Sequence, residues 1–402
     1  MNNKKIAMIV FSHYPEDPRV RREAEALDEA GYHIDIFCLK REKKQKKKET
    51  YSNIRVYRSS LMRSRTGKLS YLIEYFIFIM TMFFRTTAAF IRNGYSVMHI
   101  HNMPDVLVFI PLIPKIFGAR IILDLHDPTP EVFIAKYNMD QNNRFIRILT
   151  FLEKISIGFA DKVLTPNKAF RDLFVSRGCQ EKKIEIVMNS PHEAIFRKEL
   201  IESGERTAGK PFSLIYHGSI VKRHGLTDAL GAVKILRMKI PNIRFDIYGN
   251  GDYNDNLKSE ILDFGLSDIV FFHGFEYQDK LVYKILEADV GLIPNRINPF
   301  TEINLPTRIF EYLIMEKPVI APNTRGIRDY FDNESLLYFK SGDPADLADV
   351  IYKVYTDKKH CNDIVQKGIS VYNKYTWQSQ KQILLGVYNS ILAEGRGNKK
   401  KL

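Results

Sequence analysis

Short apolar runs rich in Ile, Val, Leu and Phe alternate along this chain with longer stretches whose apolar residues recur every three or four positions. The first series of runs occupies residues 6–11, 33–38, 97–101, 120–125, 162–165 and 184–187. A second series occupies residues 212–216, 244–248, 269–272, 290–293 and 318–321. Strand-length runs interleaved with helix-length segments predict parallel α/β layers. Between the series, residues 189–210 are polar and contain Pro191, Gly204 and Gly209, which reads as a linker. The predicted organisation is a first domain over residues 1–190, a second over 205–374, and a helix over 375–395. No repeat at a solenoid period interrupts this pattern.

Residues 71–90 depart from it, being apolar and aromatic almost throughout, with Tyr75-Phe76-Ile77-Phe78-Ile79-Met80 followed by Met82-Phe83-Phe84. Glu74 and Arg85 bracket ten residues, fewer than the roughly 20 that a spanning helix needs. Two readings stay open: a helix lying in a membrane interface, and a core helix packed on the sheet.

Charge changes this picture. The 402-residue chain carries a net +13, and seven of the nine residues from Lys40 to Lys48 are basic. Arg58, Arg63, Arg65 and Lys68 form a second cluster, and Lys399-Lys400-Lys401 a third. An anionic membrane surface and nucleic acid both suit such clusters, as does plain solvation. The adjoining apolar stretch favours the membrane, and the interleaved aromatic and basic residues of RNA-binding sheets are missing. A hydrophobic content of 45% is that of a globular protein. Cys38, Cys179 and Cys361 lie far apart and form no metal spacing, which suits a reducing cytoplasm. The apolar run after Lys5 is too short for a signal peptide and meets Ser12-His13.

Candidate chemistry sits where the strand runs end, the place where open α/β sheets bind ligands. The first run leads into Ser12-His13-Tyr14-Pro15-Glu16-Asp17-Pro18-Arg19-Val20, without the glycines of a dinucleotide fold. Asp17 and Pro18 there suit a helix start. Two later runs end in His99-Ile100-His101-Asn102-Met103-Pro104-Asp105 and Asp124-Leu125-His126-Asp127-Pro128-Thr129-Pro130-Glu131. Alternation along the strand is read as placing His99 and His101 on opposite faces. Zinc is a competing idea for these clusters, but the spacings form no recognised ligand set.

In the second half, Tyr216-His217-Gly218-Ser219-Ile220-Val221-Lys222-Arg223-His224-Gly225 is a glycine loop bearing cations between a strand and a helix, suited to a phosphate. Tyr248-Gly249-Asn250-Gly251-Asp252 and His273-Gly274-Phe275 follow in equivalent places. Residues 300–321 then read as a loop, a helix beginning near Pro306, and a buried strand. Proline suits the first helical turn, and the free amides there attract anions. Arg308 adds positive charge, and Glu311, one turn on, reaches toward sugar hydroxyls.

That last segment resembles the nucleotide-sugar site of family 4 retaining glycosyltransferases. Their Glu-x7-Glu pattern closes on a helix followed by Gly-Lys-Pro-Val-Ile. Glu311 matches the second glutamate, and Lys317-Pro318-Val319-Ile320 the strand entry. Ile303, beside Glu302, stands at the first glutamate, and Glu316 at the glycine. The Asp-Pro-Arg-Val-Arg-Arg run resembles a branch of the family without the usual glycine pair, and His126 falls where many members keep a histidine.

The resemblance implies a GT-B fold: two Rossmann-like domains facing across a cleft, with the C-terminal helix crossing back to the first. It implies donor binding by Gly218, Ser219, Arg223, Gly249, Gly251, Phe275, Asn304, Leu305, Pro306, Arg308 and Glu311. Asp17, Arg19, Asn102, Asp105 and Asp127 fall on the acceptor side, and His126, Arg223 and Glu311 carry catalysis. His224 stands where a lysine is common, with Lys222 nearby to compensate. The expected reaction is hexosyl or N-acetylhexosaminyl transfer from a nucleoside diphosphate sugar, with retention, no protein nucleophile, and no metal or other cofactor. The apolar, basic first domain adds a lipid-linked saccharide acceptor in cell-surface polysaccharide assembly, at the inner face of the plasma membrane. Alternatives are a nucleotide-sugar epimerase of the same fold and, from another class, a basic nucleic-acid-binding protein.

Overall fold

The computed structural model describes residues 5–61, 68–197, 199–202 and 209–399. The chain divides into two compact units, residues 1–189 with 378–402, and residues 190–377.

Unit 1 is built on one sheet of β1 (Lys5–His13), β2 (His33–Leu39), β3 (Lys48–Tyr51), β4 (Ile54–Ser59), β5 (Val97–His101), β6 (Arg120–Asp124), β7 (Lys162–Thr165) and β8 (Ile184–Ile186). Their order is β3-β4-β2-β1-β5-β6-β7-β8. All neighbours are parallel except β3 and β4. The central strands are buried on both faces, as parallel sheets covered by helices must be.

Unit 2 carries β9 (Phe212–His217), β10 (Ile243–Tyr248), β11 (Val270–Gly274), β12 (Val290–Leu292), β13 (Val319–Pro322) and β14 (Leu337–Phe339), all parallel, in the order β11-β10-β9-β12-β13-β14. In both sheets the first strand lies inside, and strand order reverses beside it. The carboxyl ends of β1 and β9 therefore adjoin topological switch points, where such sheets open a crevice.

The apolar runs became β1, β2 and β5 to β13. The pattern missed β3, β4 and β14. Charged residues obscure the first two: Arg55 pairs with Asp35 at 2.6 Å, and Lys48 opens β3. Arg58, grouped with the surface cations, is instead only 1% exposed. Its guanidinium donates to Glu49 at 2.5 Å and to the Tyr14 carbonyl at 3.0 Å. A guanidinium with such partners can be buried where a lone charge cannot. Arg63, Arg65, Lys400 and Lys401 lie outside the described residues, as do 198 and 203–208 of the expected linker.

Four helices position the chemistry: α1 (Pro18–Glu29), α2 (Lys68–Asn93), α3 (Arg308–Ile314) and α4 (Trp377–Lys399). Asp17 caps α1 by accepting from Arg19 N at 3.2 Å, with Pro18 in the first turn. From residue 378 onward α4 belongs to unit 1, where Gln380 accepts from Met188 N at 2.8 Å. On α2, Glu74, Phe78, Met82 and Thr86 are buried, four residues apart, a helical stripe facing the sheet. Phe78 meets Phe11 edge-on at 4.9 Å. Ile73, Phe76, Ile77, Met80, Phe84 and Ile91 are exposed. The expectation of a stretch too short to span is corrected, because α2 continues past Arg85. The span Ile73–Asn93 is long and apolar enough to cross a membrane by length and composition, with 22% of its window buried. The interface and core readings are not exclusive: one stripe is core, and much of the remaining surface is apolar.

Truncating the stripe separates its two sides. Phe78→Ala is expected to destabilise unit 1 by about 3–5 kcal/mol and Phe76→Ala by no more than about 0.5 kcal/mol, measured by urea unfolding. Equal losses would contradict this packing.

Candidate functional site

In unit 2 the site starts where β9 ends. His217 is its last residue, and the chain turns at Gly218 with φ 133°, a conformation that favours glycine. Gly218 N donates to Tyr248 O at 3.0 Å, Ile220 N to Asn250 O at 3.1 Å, and Gly249 N to Gly274 O at 2.7 Å. The ends of β9, β10 and β11 are thus joined through their backbones. A Cβ on Gly249 would stand 1.8 Å from Gly218 O, and one on Gly251 2.0 Å from Ile220 O. Side chains at these positions would push the three turns apart.

Arg308, the first residue of α3, reaches this junction. Its Nη1 donates to the His217 carbonyl at 2.6 Å, and the guanidinium lies 4.5 Å from the Tyr216 ring centroid. Glu311, one turn on, is buried with Oε2 3.2 Å from His217 Nε2. Burial, reinforced by Arg308, holds the His217 pKa down to about 3, so the imidazole is neutral. Tyr312 OH donates to Ile215 O at 3.3 Å, so successive residues of α3 pin the end of β9. The tight α3 spans seven residues, two places later than Pro306.

Arg223 is half-buried, its guanidinium 5.7 Å from the Phe300 ring centroid and its carbonyl accepting from Arg296 N at 3.0 Å. His224 is no second cation. Burial first, then Arg308 and Arg223, depress its pKa to about 3. Its Nδ1 lies 2.9 Å from Tyr216 OH and 2.8 Å from Ser219 O. Lys222 and Ser219 are exposed, and Phe275 is 63% exposed beyond Gly274. Asn304 is half-buried, while Leu305 and Pro306 are buried. Glu302 is committed elsewhere, its carboxylate accepting from Arg325 N at 3.1 Å. The structure therefore brings Gly218, Gly249, Arg308 and Glu311 together around His217. Sequence reasoning did not single out His217, although its place just before the glycine turn was the available signal.

In unit 1 the polar ends of β5 and β6 meet. His101 and Asp124 are register partners on neighbouring parallel strands, so their side chains share a face. Asp124 Oδ2 lies 3.2 Å from His101 Nδ1 and 3.1 Å from His126 Nε2. The assignment of His99 and His101 to opposite faces was wrong. Residues two apart on a strand point the same way, and the two rings stack with centroids 4.3 Å apart. Glu23 arrives from α1, its Oε2 3.7 Å from His99 Nε2. Burial raises Asp124 to about 7 against the pull of Arg19, and burial beside Asp124 raises Glu23 well above the usual carboxyl range. Burial, with Arg19 adding to it, holds His126 neutral.

Asn102 and Asp105 are buried and face inward. Asn102 Nδ2 donates to Asp105 Oδ1 at 2.9 Å and to the Asp127 carbonyl at 2.8 Å, while its Oδ1 accepts from His126 N at 2.9 Å. Thr129 Oγ1 also donates to Asp105, at 2.9 Å. These two residues hold the β5 and β6 loops together. Asp17 and Arg19 lie 3.5 Å apart at the head of α1, and Asp127 is half-buried.

Comparison with known proteins bears on the family and the fold. Residues 17–190 match the glycosyl transferase 4-like domain, and residues 197–371 match glycosyl transferases group 1. The amylovoran biosynthesis glycosyltransferase AmsK of Erwinia amylovora is 23% identical over 48% of this chain and 47% of its own. The chain spans about half the length of the first curated relatives it matches. Sucrose-phosphate synthase from Thermosynechococcus elongatus superposes with TM-score 0.80 at 18% identity, over 97% of this chain and 100% of that one. Anabaena HepE in complex with UDP and glucose superposes with TM-score 0.67 at 15% identity, over 96% and 100%.

The neutral histidines give unit 2 a pH signature. His217 and His224 stay unprotonated in the folded state down to about pH 3, whereas their ordinary value is 6.5. Between those values the unfolded chain binds the extra protons, so stability falls as pH drops from 6.5 toward 3. His217→Gln is expected to lower the slope of unfolding free energy against pH by about 1.4 kcal/mol per pH unit between roughly pH 4 and 6. Urea unfolding across that range checks it, and an unchanged slope would contradict it.

Proposed function

The chain belongs to the glycosyl transferases that join a 4-like domain to a group 1 domain, with the GT-B fold, and from this we propose that it moves a hexosyl or N-acetylhexosaminyl group from a nucleoside diphosphate sugar to a saccharide acceptor, with retention. The observation that carries the reading is Arg308 bonded to the His217 carbonyl at the Gly218 turn, with Glu311 one turn along. The donor lies on unit 2. Its diphosphate meets Arg308 and Arg223, and Glu311 takes sugar-ring hydroxyls. A guanidinium carries five N–H donors, so a bond to one carbonyl leaves others for phosphate oxygens.

Fixed positive charge at the departing diphosphate supplies most of the acceleration, because it needs no reorganisation as charge develops. The acceptor hydroxyl attacks the face that the diphosphate leaves, and a phosphate oxygen takes its proton. No side chain is assigned as nucleophile, and no metal step is assigned at the diphosphate. Gly218, Gly249 and Gly251 let the backbone approach the donor, Ser219, Asn304, Leu305 and Pro306 shape its sides, and Phe275 lies near the base.

On unit 1, Asp17, Arg19 and Asp127 meet the acceptor, while Asn102 and Asp105 position the loops beneath it. His126, neutral, offers a ring nitrogen for hydrogen bonding to a sugar. The exposed apolar surface of α2 lies on an anionic membrane, aided by the basic run after Lys40. That supports a lipid-linked acceptor in exopolysaccharide assembly at the inner face of the plasma membrane. The relative named for amylovoran biosynthesis supports the same setting.

Thermal melting against UDP, GDP, ADP and their sugars tests the donor site. Ligand at 100 times its Kd stabilises by about 2.7 kcal/mol. One nucleotide series is expected to raise the melting temperature of the wild type and to do so much less for Arg223→Ala and Glu311→Ala. No rise with any nucleotide would contradict the reading.

A further inference from the structure

We propose that Glu23, His99, His101 and Asp124 form a closed site for one divalent transition-metal ion, zinc first among them, that clamps the interior of unit 1. One donor atom from each of the four lies within 4.8 Å of those of the others. The residues are 6%, 0%, 0% and 3% exposed. The inference goes beyond glycosyl transfer and concerns a structural ion.

The donor atoms are what single out this cluster. Glu23 Oε2, His99 Nε2, His101 Nε2 and Asp124 Oδ2 are all buried without a hydrogen-bond partner among the described residues. Each such orphan costs stability, and four beside one another call for a common partner. His99 Nε2 is 3.7 Å from Glu23 Oε2 and 3.8 Å from Asp124 Oδ2. Tetrahedral zinc with bonds of about 2.0–2.1 Å has ligand edges of about 3.4 Å, so these two edges need contract by only a few tenths of an ångström, and no edge of the set exceeds 4.8 Å.

The opposite ring nitrogens are already held. His99 Nδ1 is 2.8 Å from Tyr388 OH on α4, and His101 Nδ1 is 3.3 Å from His126 Nε2 and 3.2 Å from Asp124 Oδ2. Metal-bound histidines are normally fixed in this way through their second nitrogen. Two imidazoles with two carboxylates suit zinc and its first-row neighbours. Four protein ligands leave no open position, which is the mark of a structural site.

Charge points the same way. Two buried carboxyls, Glu23 and Asp124, lie in one cluster with two imidazoles, and a dication among them would balance the charge of both carboxylates. Arg19 and Arg22 face the cluster and oppose it, while Asp17 favours it. The ion would tie α1, β5 and β6 together and, through Tyr388, the returning helix α4.

The test uses full-length protein without a histidine tag, exchanged into zinc or cobalt at micromolar concentration and freed of excess ion. Elemental analysis is expected to give close to one ion per chain, and cobalt a visible absorption band. Chelation is expected to lower the melting temperature. Glu23→Gln keeps the shape of the protonated carboxyl, so it is expected to fold yet to lose both the ion and the response to chelator. Tyr388→Phe is expected to weaken binding about 10- to 100-fold. Folded wild type that retains no ion overturns the proposal. So does a Glu23→Gln variant that binds as tightly as wild type.

Discussion

The end of β9 is the constraint on which unit 2 depends. Its last carbonyl, that of His217, would sit in a largely buried turn, and Arg308 satisfies it with a charged donor. That bond places α3 against the strand and brings Glu311 beside the His217 ring. It also works only if the chain can turn at once, which Gly218 permits, and if the neighbouring turns crowd in, which Gly249 and Gly251 permit. In the proposed reading donor chemistry and fold are one arrangement: the cation assigned to a phosphate is also the bolt at the strand end.

Unit 1 is arranged differently at the same place in its own sheet. There the strand ends carry histidines and carboxyls that face one another, and burial drives them toward neutral forms. Asn102 spends its amide on two loops, so that His126 and Asp127 emerge at a set height from β6. A buried polar network of this kind is costly when partly satisfied, which gives a cation a thermodynamic reason to join it.

Much of the fold was legible because parallel strands announce themselves as short, apolar-rich runs: β5 and β7 fall on the residues read from the pattern. β3 and β4 were not legible, since Lys48, Glu49, Arg55 and Arg58 occupy them, with pairs such as Arg55 with Asp35 and Arg58 with Glu49. The glycine turns and Arg308 could be picked out because their chemistry is local. Glu23 could not, since only the packing of α1 brings it to His99. The face error for His99 and His101 was one of counting along a strand. Asn102 was visible as a polar residue, but its inward role depends on the partner loop 24 residues on.

Amide hydrogen exchange with saturating UDP, GDP and ADP in turn tests the central claim most directly. The account predicts that the nucleotide that binds slows exchange in residues 217–225, 248–253 and 304–311, where backbone turns and α3 converge. Protection confined to unit 1, or absent from those three segments with a bound nucleotide, would contradict it.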